Sequence, residues 1–213
     1  MSNQYADYWN RLAHANGPTN AVTGLGDAYR ATVLPVMQKC APKKVTAVVD
    51  LGCGAGLCYP LVKELWPKAA YAGYDISYEM IRYCIETYAD KDPITPLMAA
   101  RLRLPDPPPV LWQTIDGPNF STHAESIYLI CHSVFTHIYP EDAHAYLAEI
   151  RTCLGTTGQA SISVHIDCGT DWKGDIGRID YEPSYWENML MSAGLETLFT
   201  IEGNQRVYCV RAK

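Results

Sequence analysis

Three glycines and an acid carry the first chemical signal in this chain. Gly52, Gly54 and Gly56 stand at alternate positions just past the apolar, β-branched run Val45–Leu51, with Asp50 near the end of that run. Such a run reads as a buried strand, and Tyr59–Trp66 beyond the glycines has helical periodicity. Strand, glycine turn and helix bring backbone close beneath a ligand, because glycine tolerates positive φ and lacks the Cβ that would block the approach. A second apolar run, Ala70–Ser77, carries Asp75 near its end. The gap from the turn is about 20 residues, the interval at which the next parallel strand offers a carboxylate to a ribose diol.

The string Asp50-Leu-Gly-Cys-Gly-Ala-Gly56, followed by Gly73-Tyr-Asp-Ile-Ser-Tyr-Glu-Met-Ile81, resembles the class I S-adenosylmethionine (SAM)-dependent methyltransferases. A nicotinamide dehydrogenase more usually carries Gly-x-Gly-x-x-Gly, whereas the spacing here is Gly-x-Gly-x-Gly. The resemblance implies a Rossmann-like α/β fold. Its sheet would have seven mostly parallel strands with an antiparallel last strand, and helices on both faces. It also implies SAM as cofactor, held by Asp50, Gly52, Cys53, Gly54, Gly56, Asp75 and Ile76.

Val110–Asp116 is the expected third strand. Its frame resembles the family segment whose terminal acid accepts a hydrogen bond from the adenine amine, which gives Asp116 that role with Ile115 beside it. Gly117-Pro-Asn-Phe120 replaces the family's usual Leu-Pro after that acid. Ile127–Cys131 is the fourth strand, and the following Ser133-Val-Phe-Thr-His137 resembles a string found in methyltransferases of small molecules. The acid common early in that strand is absent, with Ile127 near its place. Ligands bind at the carboxyl ends of parallel strands, so Cys131 and His132 are expected to line the cleft. His137 is read as a packing and hydrogen-bonding residue.

Methyl transfer gains much from near-attack geometry, and a base within hydrogen-bond reach helps when the acceptor is a weakly acidic hydroxyl. His132, at the end of the fourth strand, and His165, near the end of the fifth strand Gln159–Ile166, are the candidate bases. Asp167 could orient either one or touch substrate. The segment 167–183, rich in glycine and aspartate, reads as a loop on the ligand side and as the best candidate for substrate selection, with Trp172 included. Asp167, Asp171 and Asp175 with His165 could be imagined around a divalent cation, but such a loop reads more simply as solvated, and no metal is assigned.

These residues need a frame. Residues 1–44 form an expected helical cap, whose Tyr5, Tyr8 and Trp9 either face ligand or pack the helix onto the domain; 45–213 form the expected SAM-binding domain. Residues 90–109 read as a proline-bracketed surface excursion, Pro140–Leu154 and Pro183–Gly194 as helices, and the stretches around Gly203-Asn204 as a hairpin. Composition is that of a globular enzyme, 48% hydrophobic and 19% charged. The net charge of -6 argues against polyanionic partners, and no apolar run approaches the ~20 residues that span a bilayer. Eight scattered cysteines without a Cys-x-x-Cys pair suit reduced thiols in the cytoplasm and serve zinc poorly. The expectation is a methyltransferase for an O or N atom of a small metabolite, of sugar or secondary-metabolite type. The alternatives are methylation of a protein or nucleic acid, or a non-catalytic SAM-binding scaffold subunit. Oligomeric state is not legible.

Overall fold

The structure is a computed structural model of the 213-residue chain; it describes residues 5–11, 26–88, 110–115, 117, 120, 125–166, 169 and 171–213. Residues 5–11 are helical (α1), and α2 is Gly26–Cys40. Then β1 (Ala47–Leu51), α3 (Cys58–Leu65), β2 (Ala70–Asp75), α4 (Tyr78–Tyr88), β3 (Val110–Thr114) and β4 (Ile127–Cys131) alternate. The second half holds α5 (Pro140–Leu154), β5 (Gln159–Ile166), β6 (Trp172–Asp175), β7 (Arg178–Tyr181), α6 (Pro183–Ser192), β8 (Leu195–Ile201) and β9 (Arg206–Ala212).

The principal sheet runs β3-β2-β1-β4-β5-β9-β8. Its first five strands are mutually parallel, and β9 is antiparallel to both β5 and β8. These are the seven strands and the reversed closing strand that the resemblance implies. Strands β1 and β4 are buried along their whole length, so their sequences are continuous apolar runs rather than alternating ones.

Two cores flank the sheet. On one face Val49, Leu51, Leu129 and Ile162 pack with Leu147 and Ile150 of α5 and Trp186 of α6. On the other Val48, Tyr128 and Ile130 pack with Val36 and Met37 of α2 and Val62 of α3. The alternation of Val48 and Val49 to opposite faces is the period-two rule of a strand. Strand order reverses between β2-β1 and β4, which opens a crevice at the carboxyl ends of β1 and β4.

The stretch read as a loop at 167–183 departs from expectation. It contains the hairpin β6–β7, whose β7 joins β5 in parallel through His165 opposite Asp180 and Ile166 opposite Tyr181. Its strands have four residues each and most of β6 is exposed, so alternation is hard to see. The surviving signal is Ile179 and Tyr181, two apart and both fully buried. Gly174 makes the pairing possible: its φ is +119°, and a Cβ there would fall 1.9 Å from the Arg178 carbonyl oxygen.

Candidate functional site

The glycine turn is tied to the end of β2. Gly52 and Cys53 donate their N–H groups to the Tyr74 carbonyl at 2.7 and 3.0 Å, and Gly54 donates to Asp75 Oδ2 at 2.8 Å. Asp75 Oδ1 accepts from Ser77 N at 2.8 Å. Gly52, Gly54 and Gly56 have φ of +71°, +52° and +75°, in the region that favours glycine. A Cβ on Gly52 would fall 2.3 Å from Val134 Cγ2, so the turn is packed directly against the chain after β4. A Cβ on Gly54 would meet no described protein atom within 4 Å. Gly54 borders a cavity of about 500 Å³, within the usual size of a small-molecule site.

Asp75 is the one charged side chain on the described wall of that cavity. Burial pushes its carboxyl upward, while the N–H groups of Ser77, Gly54 and Ile76 pull it back toward the ionised form. Asp50 lies behind the wall. It is buried, its Oδ2 accepts from the Tyr71 hydroxyl at 2.6 Å, and burial pushes its pKa up to about 7 against that hydrogen bond.

Aromatic rings also line the cavity. Tyr5 and Trp9 of α1 line it with Tyr146 of α5. Two polar ties hold α1 there. The Tyr5 hydroxyl donates to Asp142 Oδ2 at 2.8 Å while accepting from Tyr139 N at 3.2 Å, and Ser77 Oγ donates to Asn10 Oδ1 at 2.9 Å.

Among the described residues two histidines reach the wall, His132 and His137. His132 Nε2 lies 2.9 Å from Ser161 Oγ, which in turn lies 2.7 Å from the Tyr128 hydroxyl, and burial pushes the imidazole down to about 4. His137 Nδ1 is 2.9 Å from the Ile176 carbonyl in the β6–β7 turn, and its ring meets Trp9 edge-on with centroids 4.8 Å apart. Burial also lowers the His137 pKa, opposed by that carbonyl.

Of the expected cofactor residues, the structure brings Gly52, Cys53, Gly54, Asp75, Ile76 and Ile115 to the wall. Gly56 shapes the turn behind it, its N–H donating to the Cys53 carbonyl at 2.9 Å. Asp50 and Cys131 are not on the wall: Asp50 turns to Tyr71, and the fully buried Cys131 packs into the core with Leu51 and Phe135. Of the two expected bases, His132 is on the wall and His165 is not. His165 sits beside Arg178 and Asp180 of the hairpin, where burial lowers its pKa. Tyr5 and Trp9 line the cavity; Tyr8 stacks edge-on behind Trp9 at 5.3 Å, and Trp172 packs on Tyr139 at 5.9 Å. Asp116 and Asp167 lie outside the described residues. Sequence reasoning did not assign His137, Tyr29 or Tyr146 to the site, although all three line it. Tyr146 sits on the apolar stripe of α5, where a lining residue and a core residue look alike.

A family model described as a methyltransferase domain matches residues 48–158. Among solved structures the chain is similar to a protein from Pyrococcus horikoshii OT3, at TM-score 0.69 and 16% identity over 97% of this chain and 99% of that one. It is also similar to magnesium protoporphyrin IX methyltransferase from Synechocystis PCC 6803, at TM-score 0.67 and 16% identity over 97% and 98%. An O-methyltransferase from neocarzinostatin biosynthesis, solved with S-adenosylhomocysteine and 1,4-dihydroxy-2-naphthoic acid, matches at TM-score 0.67 and 12% identity over 97% of this chain and 61% of that one.

Proposed function

Because the chain belongs to the methyltransferase-domain family, we propose that it moves a methyl group from SAM to an O or N atom of a small metabolite. The observation that carries this reading is one cavity lined both by the glycine turn with Asp75 and by the aromatic rings of Tyr5, Trp9 and Tyr146.

The residues fit the cofactor. Gly54 leaves its Cβ position open to the cavity, as close passage of a ligand over the turn requires. Asp75 accepts backbone N–H groups at both oxygens, and the roughly four acceptor sites of a carboxylate leave capacity for a ribose hydroxyl. SAM, when bound, supplies a methyl group on a sulfonium and leaves as S-adenosylhomocysteine. The chain's own task is to fix Asp75 and the turn on one side and to hold the acceptor against Tyr5 and Trp9 on the other.

A small acceptor is favoured because α1 lies over that wall, tied at Asp142 and at Ser77. The neocarzinostatin-pathway enzyme, solved with a small naphthoic acid, supports the same reading. Among the described residues no helix is long and apolar enough to cross a membrane. Seven described cysteines are free and buried, which favours a reducing, cytoplasmic setting. Calorimetric titration with S-adenosylhomocysteine, with NAD as control, tests the cofactor. Saturable binding of the former alone is expected, and binding of NAD alone or of neither overturns the reading.

A further inference from the structure

Resting on that reading, we propose that His137 is the general base of the reaction and that the acceptor is an uncharged hydroxyl of phenol-like acidity. The β6–β7 hairpin sets the tautomer of this base.

A carbonyl oxygen can only accept, so the contact between His137 Nδ1 and the Ile176 oxygen at 2.9 Å places the proton on Nδ1. A neutral imidazole has one N–H, and its Nε2 is therefore left with a free lone pair. The contact is not isolated. Ile179 N donates to the Thr136 carbonyl at 2.7 Å, and the Tyr181 hydroxyl donates to the Ile138 carbonyl at 3.0 Å. The hairpin thus grips residues 136, 137 and 138 in succession, while Trp9 bounds the imidazole from α1. His132 lacks this definition, since its partner Ser161 can donate or accept. His165 is off the wall.

The proton step balances within these groups. The acceptor O–H bond breaks with its electron pair on oxygen, an N–H bond forms at Nε2, and the products are an oxyanion and an imidazolium. Acidity selects the acceptor. A phenol, with a pKa of about 10, lies within reach of a histidine base, whereas an aliphatic alcohol is near the ~16 of water. Charge selects it too. Asp75 is the one charged side chain on the described wall and is given to the cofactor on the proposed reading, so no second described wall carboxylate is left to pair with an ammonium on the acceptor. Flat rings at Tyr5, Trp9 and Tyr146 suit an aromatic body. The ionisable groups around the base are His165 of β5 and, beyond it, Arg178 and Asp180 of the hairpin.

The test uses 4-nitrophenol, whose anion absorbs at longer wavelength than its neutral form, added to protein saturated with S-adenosylhomocysteine at a pH below the phenol's own. Saturable binding with the anion band is expected. His137→Asn keeps an N–H for Ile176 but has no base; its S-adenosylhomocysteine affinity should be unchanged, while the ionised fraction of bound phenol falls about tenfold or more. Absence of phenol binding to the loaded wild type, or the same ionised fraction in both proteins, overturns the proposal. Failure of the wild type to bind S-adenosylhomocysteine overturns the cofactor reading itself. Should His137→Asn not fold, long-range 1H–15N spectra of histidine-labelled wild type decide. Protonated Nδ1 and bare Nε2 at His137 are expected, and the opposite tautomer overturns the assignment.

Discussion

Gly54 and Asp50 show two different demands placed on single residues by one turn. At Gly54 the cavity is what a side chain would occupy, so Gly54→Val should keep most of its stability, losing about 1–2 kcal/mol to the left-handed backbone, while S-adenosylhomocysteine binding is abolished. Asp75→Asn should weaken that binding about 10- to 100-fold, the worth of a hydrogen bond to a charged group. Calorimetry on both folded variants checks the pair, and unchanged affinity in either removes that residue from the site. At Asp50 the demand is structural. Its pKa rises from 3.8 to about 7, so the folded protein holds a proton that the unfolded chain releases. The associated stability is fully present below pH 4 and is lost as pH rises through about 7. Asp50→Asn keeps an acceptor for Tyr71 and removes the charge. Its urea midpoint should therefore gain on wild type between about pH 4 and pH 7 and level off above that, and parallel curves would exclude the linkage. Sequence spacing placed Asp50 and Asp75 correctly on their strands but could not say that one faces Tyr71 and the other the cavity.

At the scale of elements, what was legible followed from burial. The strands β1, β2, β4 and β5 are continuous apolar or β-branched runs, and α5 has a clean apolar stripe, so sequence and structure agree there within about two residues. The hairpin β6–β7 was not legible because it is short, half in solvent and pinned by backbone at Gly174 rather than by an apolar pattern. The same stretch hid the significance of His137. Its hydrogen-bonding character was readable from the string Ser133–His137, but its partner, the Ile176 carbonyl, is 39 residues away and is a backbone atom with no side-chain signature. Gly174→Ala should cost about 1–3 kcal/mol by forcing a Cβ against the Arg178 carbonyl at a φ that side chains avoid. Denaturant unfolding measures this. S-adenosylhomocysteine affinity should stay within about twofold, because the hairpin grips residues 136–138 and not the glycine turn. A large loss of affinity would mean that the hairpin supports the cofactor end as well.

The whole molecule divides the labour of the cavity between parts far apart in sequence. The cofactor end is built from β1, β2 and their turns, a local unit whose spacing can be read from one stretch of chain. On the proposed reading the acceptor is met by α1, the segment after β4, α5 and the hairpin, and none of these spacings is fixed by a turn. Tyr5 is the joint between the two halves of that acceptor wall. Its hydroxyl donates to Asp142 in the first turn of α5 and accepts from Tyr139 N, a contact across 134 residues. Tyr5→Phe keeps the ring on the wall and removes both bonds, leaving the Tyr139 N–H without this acceptor and Asp142 without its donor. The expected cost is about 1–3 kcal/mol, concentrated in the docking of α1 rather than in the sheet. Hydrogen exchange should therefore rise in residues 5–11 and around Tyr139 while β1 and β4 keep their protection. S-adenosylhomocysteine should still bind, and 4-nitrophenol should bind the loaded variant more weakly. Equal loss of both ligands would show that α1 closes the cavity as one piece, and no change in exchange would show that the Trp9–His137 and Asn10–Ser77 contacts hold the helix without Tyr5.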